Sequence, residues 1–406
     1  MRSSEAVWIT GIGAGTPLGW NYETIATNLL AGKSGVKKVD TFDVSQHPSQ
    51  IGAVLDPIPC PPSQSASEFG EHSRLIQLGL WCCEQALRDA GIWEQRSAAR
   101  IGLILGNATE WGWHWEDNAW RGKDGPHCDP TFDSPALLPL LRQEFQLSGP
   151  VLTLSAACAS GNFAMAQGRR WLELGWVDYV LAGACDTAVT PLTLAGFGNL
   201  RALSRQNDRP QQASRPFDRA RDGFVLAEGG TVCVLERASS ARKRKSRVYG
   251  EFVGCGMTSD AFHPIIPAPD PTQVIAAMRF ALRDAEMNPA DIDYVNAHGT
   301  STPVGDAGEA KALREVFGER TMQVPVSSTK SMTGHLLTAA ASLEAIACMA
   351  TFERSAIPPT INLDDPDPEC ALCHVPHQAR EQTVRVAMSN SFGFGGSNSC
   401  AIFRAV

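Results

Sequence analysis

The pentapeptide Ala86-Leu-Arg-Asp-Ala90 recurs unchanged as Ala281-Leu-Arg-Asp-Ala285. Each copy closes an amphipathic helical pattern, carried by Ile76, Leu80, Cys83 and Leu87 in the first and by Val274, Met278 and Leu282 in the second. A strand-like run follows each, Arg100 to Leu105 and Ile292 to Val295. Beyond them the order strand, small-residue turn, helix repeats again, with Leu152 to Ala164 answering Val324 to Leu337. A matched pentapeptide alone carries little weight, but joined to matched element order it predicts an internal duplication, each half supplying a sheet and a set of functional turns. Strands alternating with helices place the chain among α/β folds.

The chemistry pivots on one of these turns. Val151-Leu-Thr-Leu154 reads as a buried strand, and the small residues from Ser155 to Gly161 permit a sharp turn into a helix carrying Phe163, Met165 and Leu172. Cys158 then falls at or beside a helix N-terminus, where the macrodipole and free backbone N–H groups stabilise a thiolate. The plainer alternative is a small buried hydrophobe, the usual fate of a free cysteine. Asn296-Ala-His-Gly-Thr-Ser-Thr302 and Ser328-Thr-Lys-Ser-Met-Thr-Gly-His335 each put a histidine, His298 or His335, just past a strand end. That is where α/β folds place their chemistry. With Lys330 they complete a coherent nucleophile set, although a histidine in such a position is otherwise a satisfied structural residue.

A chain of 406 residues holds a large core, and 43% hydrophobic content suits a globular enzyme. No apolar run approaches bilayer-spanning length, and the N-terminus enters a strand almost at once, so we expect a cytoplasmic protein. Twelve scattered cysteines without an export signal favour a reducing compartment. A net charge of −8 argues against nucleic acid as the main partner. The cluster Arg242-Lys-Arg-Lys245 reads as a solvated helix end.

Some stretches imitate other motifs. Gly11-Ile-Gly13-Ala-Gly15 approaches a dinucleotide-binding turn, but its third glycine is one position early, and we read a tight turn against a helix. Cys370-Ala-Leu-Cys373-His374 has the spacing of a haem attachment site, which belongs to exported proteins. Trp111, Trp113, Trp115 and Trp120 form an aromatic-rich insertion that either stacks on a ligand or, as we favour, covers a subunit interface.

Four motifs now stand together in one order: Ser155-Ala-Ala-Cys-Ala-Ser-Gly161, Asn296 to Asp306 (NAHGTSTPVGD), Ser327 to Ala340 (SSTKSMTGHLLTAA) and Ser389 to Asn398 (SNSFGFGGSN). From Val7 to Phe403 the chain resembles the elongating β-ketoacyl-acyl-carrier-protein synthases of the thiolase superfamily. The resemblance implies two duplicated βαβαβαββ halves in a layered αβαβα core, residues 1–240 carrying the nucleophile and 241–406 both histidines and the lysine. It implies acyl transfer from an acyl carrier protein to Cys158, then decarboxylative condensation with a malonyl-carrier by a homodimer. No cofactor, nucleic acid or membrane partner is implied.

On the same likeness, His298 and His335 hydrogen-bond the malonyl thioester carbonyl, and Lys330 orients the histidines. The N–H groups of Cys158 and Phe394 form an oxyanion hole, Phe392 and Phe394 gate the acyl group, and Gly393 and Phe197 contact the substrate. Thr300 and Thr302 meet the pantetheine arm, and Asp306 and Glu344 support Lys330 and the histidines. Asn296, Glu344, Ser389 and Asn390 match positions where some relatives hold a monovalent cation.

Departures from the family pattern fall at Thr109-Glu-Trp111, where small pocket residues are expected, at Ile265, and at Glu68 and Glu71, where relatives carry basic residues. Arg201 and Arg205 keep the basic docking character. The second reading is a non-catalytic ketosynthase-like partner that sets chain length. Retention of Cys158, His298, Lys330 and His335 argues against it.

Overall fold

The computed structural model describes residues 5–108, 116 and 136–406. The tryptophan cluster and Thr109 to Trp111 lie outside the described residues. In chain order the main-sheet strands are β1 (Val7–Gly15), β2 (Ile101–Gly106), β3 (Val151–Leu154), β4 (Tyr179–Asp186), β5 (Gly229–Arg237), β6 (Gly250–Ser259), β7 (Tyr294–Asn296), β8 (Pro325–Ser327), β9 (Cys373–His374), β10 (Val386–Gly393) and β11 (Ser397–Arg404). The helices that organise them are α1 (Arg74–Asp89), α2 (Leu137–Glu144), α3 (Ser160–Glu173), α4 (Thr272–Asp284), α5 (Pro303–Phe317) and α6 (Ala340–Arg354).

Strand order is β9-β8-β7-β10-β11-β6-β1-β5-β4-β2-β3. Outward from the β1–β6 junction, β1-β5-β4-β2-β3 on one side mirrors β6-β11-β10-β7-β8 on the other. The directions match as well. β4, β2 and β3 run parallel, as do β10, β7 and β8, while the inner pairs on both sides are antiparallel. The junction is slight, with only Trp8 opposite Glu251 and Ile9 opposite Gly250. Helices α3 and α6 pack together between the two half-sheets, α1 covers one outer face and α4 with α5 the other. These are the five layers of a thiolase-like fold.

The repeated pentapeptide has a packing explanation. A Cβ at Gly11 or Gly13 would stand 2.5 Å from the Ala86 carbonyl oxygen or 1.8 Å from that of Cys82. At Gly254 and Gly256 the corresponding distances are 2.6 Å to Ala281 and 1.9 Å to Ala277. In both halves a helix backbone therefore rests directly on a Gly-x-Gly pair, and alanines at 86 and 90, or 281 and 285, keep the approach close. Gly11 to Gly15 is thus strand interior, fully buried in β1, and not the tight turn expected from its glycines.

One further expectation is corrected. Val151–Leu154 is the outermost strand and not a buried one: it pairs on one side only, and Leu152 is 37% exposed. The basic cluster is the solvated helix end expected, with Arg242, Lys243 and Lys245 exposed at the end of the helix Ala238–Arg244, while half-buried Arg244 pairs with Glu236 and donates to the Ala90 carbonyl at 2.9 Å. The described cysteines are unbridged, and no described helix is long and apolar enough to cross a membrane.

Candidate active site

Each functional side chain leaves the end of a parallel strand on a backbone fixed by its neighbours. After β3, Ser160 Oγ accepts the Ala156 N–H at 2.9 Å and donates to the Ala157 carbonyl at 2.7 Å, closing a tight turn with Ala157 at φ +47°. A left-handed alanine costs about 1 kcal/mol, which the turn's hydrogen bonds offset. Gly161 lets the start of α3 lie against α6, since a Cβ there would stand 2.5 Å from the Ser342 nitrogen. Cys158 is thereby presented at the mouth of this junction, 7% exposed.

His298 follows β7. Buried Glu309 accepts the N–H groups of His298 at 2.9 Å and Gly299 at 2.8 Å, which sets the loop. Lys330 opens a single helical turn after β8, and His335 follows Gly334, whose φ of +66° favours glycine. The His335 N–H is anchored to the Val225 carbonyl at 2.7 Å.

These turns converge. His335 Nε2 lies 3.0 Å from Cys158 Sγ, and the two imidazole ring centres are 5.5 Å apart at 84°. Lys330 Nζ reaches the His298 carbonyl at 2.7 Å, His298 Nδ1 at 3.3 Å and the Glu344 carboxylate. Three acceptors for three N–H bonds fully satisfy a buried ammonium.

The contacts also set the tautomers. His335 Nδ1 accepts the Leu337 N–H at 3.2 Å, so its ring proton sits on Nε2 and points at the sulfur. His298 Nδ1 accepts from Lys330, which likewise leaves the proton on Nε2. Burial first, then the Lys330 charge, hold both imidazoles well below the usual histidine range, with His335 adding to the effect on His298. At neutral pH both are N–H donors.

The sulfur departs from the expected thiolate. Burial pushes the Cys158 thiol up to about 11, and the Lys330 charge and the backbone N–H groups of Phe394 and Cys158 pull it back only in part. Desolvation outweighs the helix terminus because the side chain lies inside the fold and not at its rim. Burial likewise lifts Glu344 to about 7, opposed by Lys330.

The glycine loop after β10 approaches through Gly393, where a Cβ would come 3.0 Å from the Cys158 nitrogen and 2.9 Å from the Ala156 oxygen. Phe392 stands edge-on to His298 at 5.6 Å, and Phe394 packs on Phe197 at 6.0 Å. The loop is held by Asp260, which accepts Asn398 Nδ2 at 2.6 Å and donates its own N–H to the Gly396 carbonyl at 2.9 Å.

Residues 4–241 match the beta-ketoacyl synthase N-terminal domain and residues 249–364 the C-terminal domain. The chain belongs to the β-ketoacyl synthase family. It is 38% identical to 3-oxoacyl-[acyl-carrier-protein] synthase 2 of Coxiella burnetii, over 98% of each chain, and 39% identical to the protein of that name in Vibrio cholerae, over 99% of each. Among solved structures it resembles, with TM-score 0.90, 29% identity and full coverage of both chains, a type II polyketide ketosynthase in complex with its acyl carrier protein and bound to a hexaketide.

Other expected positions of this β-ketoacyl synthase fall as follows. Thr300 and Thr302 share a 2.9 Å hydroxyl contact beside His298. Asp306, lifted by burial to about 7, accepts the N–H groups of Phe217 at 2.8 Å and Ser301 at 3.1 Å, and so supports the loop after His298. Glu309 and Asp260 escaped sequence reading. Glu309 lies one turn beyond Asp306 on the buried face of α5, a spacing that marks it in retrospect. Asp260 precedes a proline-rich stretch and gives no local signal. Glu68, Glu71, Arg201 and Arg205 are exposed, and the Ile265 N–H bonds His263 Nδ1 at 3.0 Å.

Two ion questions arise. Ligand atoms of Cys158, His298 and His335 all lie within 4.8 Å of one another, a convergence that sequence spacing hides. Both Nε2 atoms carry protons, however, and the Lys330 ammonium stands against His298, a field that repels a divalent cation. Separately, Asn296 Oδ1, Ser389 Oγ and Asn390 Oδ1 are buried without a hydrogen-bond partner among the described residues, and Ser389 sits opposite Asn296 in adjoining strands. Such oxygens suit a hard monovalent cation.

Proposed function

We propose that the chain is a 3-oxoacyl-[acyl-carrier-protein] synthase that elongates acyl chains by two carbons. The observation that carries this reading is the convergence of Cys158, two neutral Nε2-protonated imidazoles and a triply satisfied lysine at one site.

In the first half-reaction Cys158 sulfur attacks the thioester carbonyl of an acyl group on the carrier's phosphopantetheine. The carbonyl oxygen becomes an oxyanion that accepts the N–H groups of Cys158 and Phe394, the donors already beside the sulfur. Collapse breaks the bond to the pantetheine sulfur, which leaves with the proton surrendered by Cys158. His335 does not take that proton, because its free lone pair on Nδ1 is engaged by the Leu337 N–H. Its Nε2–H instead stabilises negative charge on Cys158 sulfur as attack begins.

In the second half-reaction the carboxyl–carbon bond of a malonyl thioester breaks, releasing carbon dioxide and leaving an enolate. Its oxygen accepts the Nε2–H groups of His298 and His335. The enolate carbon attacks the acyl-Cys158 carbonyl, a carbon–carbon bond forms, and the sulfur leaves as thiolate. Lys330 holds the His298 tautomer, while Phe392, Phe394 and Phe197 form the aromatic wall past which the acyl chain moves, and Thr300 and Thr302 face the pantetheine arm. Asn296, Ser389, Asn390 and Glu344 would hold a monovalent cation, which would supply positive charge to the site. Residues 1–240 and 241–406 are assigned as the nucleophile-bearing and enolate-stabilising halves.

The exposed apolar edge strand β3 suggests the subunit contact. An edge strand with Leu152 facing outward pairs readily with a second copy, and we assign it to a homodimer. Leu152→Lys is expected to reduce the mass seen by light scattering from dimer to monomer. A dimer that persists unchanged puts the contact elsewhere.

The test of function is condensation by the purified chain alone, given an acyl carrier protein loaded with hexanoyl and malonyl groups. Formation of the 3-oxoacyl-carrier supports the reading. Product that appears only when another synthase is added supports the scaffold alternative.

A further inference from the structure

Asp186 ends β4 and takes no part in the chemistry described so far, yet it holds the turn that follows His335. Its Oδ2 accepts the Thr338 hydroxyl at 2.7 Å and the Thr338 N–H at 3.4 Å. Both residues are completely buried. Thr338 belongs to the short 3-10 turn Leu337–Ala339 that leads into α6, and the first N–H groups of a helical segment have no partner within it. Two consecutive ones are taken from outside the turn: His335 Nδ1 accepts from Leu337, and Asp186 accepts from Thr338.

Leu337 joins these two peptide planes. Its φ is +49°, in the left-handed region that a side chain disfavours. The residues on either side of it are seated on the end of the β4–β5 pair. Asp186 fixes Thr338, and Leu336 fills the space left by Gly229, the residue opposite Asp186 on β5, where a Cβ would collide with the leucine side chain. The His335 main chain is pinned separately, its N–H to the Val225 carbonyl at 2.7 Å and its carbonyl to the Ala227 N–H at 3.0 Å. His335 thus keeps its place without the turn, whereas the N–H that faces its ring depends on it.

We propose that Asp186 is a positioning residue that, through Thr338, holds Leu337 left-handed and so keeps the His335 ring proton on Nε2. The inference rests on the condensing function proposed above. Without the Asp186 carboxyl, the Thr338 O–H and N–H lose their acceptor in a fully buried place, which favours a rearranged turn. Leu337 then relaxes toward right-handed backbone, its N–H swings off Nδ1, and the ring proton is free to move to Nδ1. No charge changes in this exchange of tautomers. In the Nδ1–H form, Nε2 is an acceptor toward the Cys158 thiol and has no hydrogen to offer an enolate oxygen. Decarboxylation, which needs that donor, suffers more than acyl transfer, which can use Nε2 as an acceptor for the thiol proton.

The test compares wild type with Asp186→Ala, Thr338→Val and Thr338→Ser. Malonyl-carrier decarboxylation and hexanoyl transfer from carrier protein to Cys158 are measured on each. The His335 ring nitrogens are read by nitrogen NMR of histidine-labelled protein and assigned by their loss in His335→Gln. Thr338→Val keeps the shape of the side chain and removes only the O–H, so it tests the contact even where Asp186→Ala does not fold. Asp186→Ala and Thr338→Val are expected to lower decarboxylation about tenfold, the worth of one buried hydrogen bond, and acyl transfer by no more than about threefold. Both should show a protonated His335 Nδ1, which in wild type is unprotonated. Thr338→Ser, which keeps the hydroxyl, should match wild type in both rates and in the spectrum. Equal loss of the two rates, or an Nδ1 that stays unprotonated in Thr338→Val, reduces Asp186 to a structural residue and overturns the proposal. Wild type that neither decarboxylates malonyl-carrier nor acylates Cys158 defeats the condensing function instead, and the nitrogen spectra still decide the part played by Asp186.

Discussion

Cys158→Ala protein acquires no acyl adduct from any acyl-carrier, yet still releases carbon dioxide from malonyl-carrier. The two activities separate because the groups that serve them differ. Acyl transfer needs the sulfur as the atom that forms the new bond, and no substitute lies within reach: the remaining groups at the site are neutral imidazoles with engaged Nδ1 atoms and a lysine whose three N–H bonds are spent. Decarboxylation needs only donors toward the enolate oxygen, and both Nε2–H groups survive the substitution. The fold should survive as well, since removing one small buried sulfur costs on the order of 1 kcal/mol. Intact-protein mass and carbon dioxide release from one preparation decide it. An acyl adduct on the alanine variant assigns the nucleophile elsewhere.

Lys330→Ala removes the group on which the most contacts depend, and we expect decarboxylation to fall by about 10²–10³-fold, the usual cost of losing a preorganised element of charge stabilisation. Without Lys330, His298 Nδ1 and the His298 carbonyl lose their donor and the ring is free to change tautomer. The Cys158 thiol rises further, since the Lys330 charge is among the influences that lower it. Alkylation of Cys158 by iodoacetamide should therefore need higher pH in the variant than in wild type. Glu344 is left buried without its counter-charge, a loss that costs about 3–5 kcal/mol in such settings. The double variant Lys330→Ala/Glu344→Ala should recover much of the lost urea resistance and none of the decarboxylation. Recovery of both assigns Lys330 a purely structural part.

Much of the architecture was legible because packing writes itself into the sequence at short range. The pentapeptide repeat and the order of elements reflect helices resting on Gly11-Ile-Gly13 and Gly254-Cys-Gly256. What the sequence hid was the location of the edge. Val151-Leu-Thr-Leu154 is as apolar as a central strand, and only the sheet order shows that one side of it is unpaired. The site was legible as four turns, each with a reactive side chain, but its electrostatics were not. The N-terminus of α3 argued for a thiolate, whereas the depth at which the turn sits, known only from the fold, raises the thiol instead. Asp260 acts through the Asn398 amide and the Gly396 carbonyl, groups distant in the chain that no local pattern announces, and Glu309 is marked only by its spacing from Asp306.

The most direct test follows one sulfur through both half-reactions. Purified protein is loaded from hexanoyl-carrier, freed of excess carrier, and given malonyl-carrier while the mass at Cys158 and the carbon dioxide released are recorded together. The account predicts a hexanoyl adduct on Cys158 that disappears in step with one equivalent of carbon dioxide and one of 3-oxooctanoyl-carrier. An adduct that stays on Cys158 while the 3-oxoacyl product accumulates contradicts it.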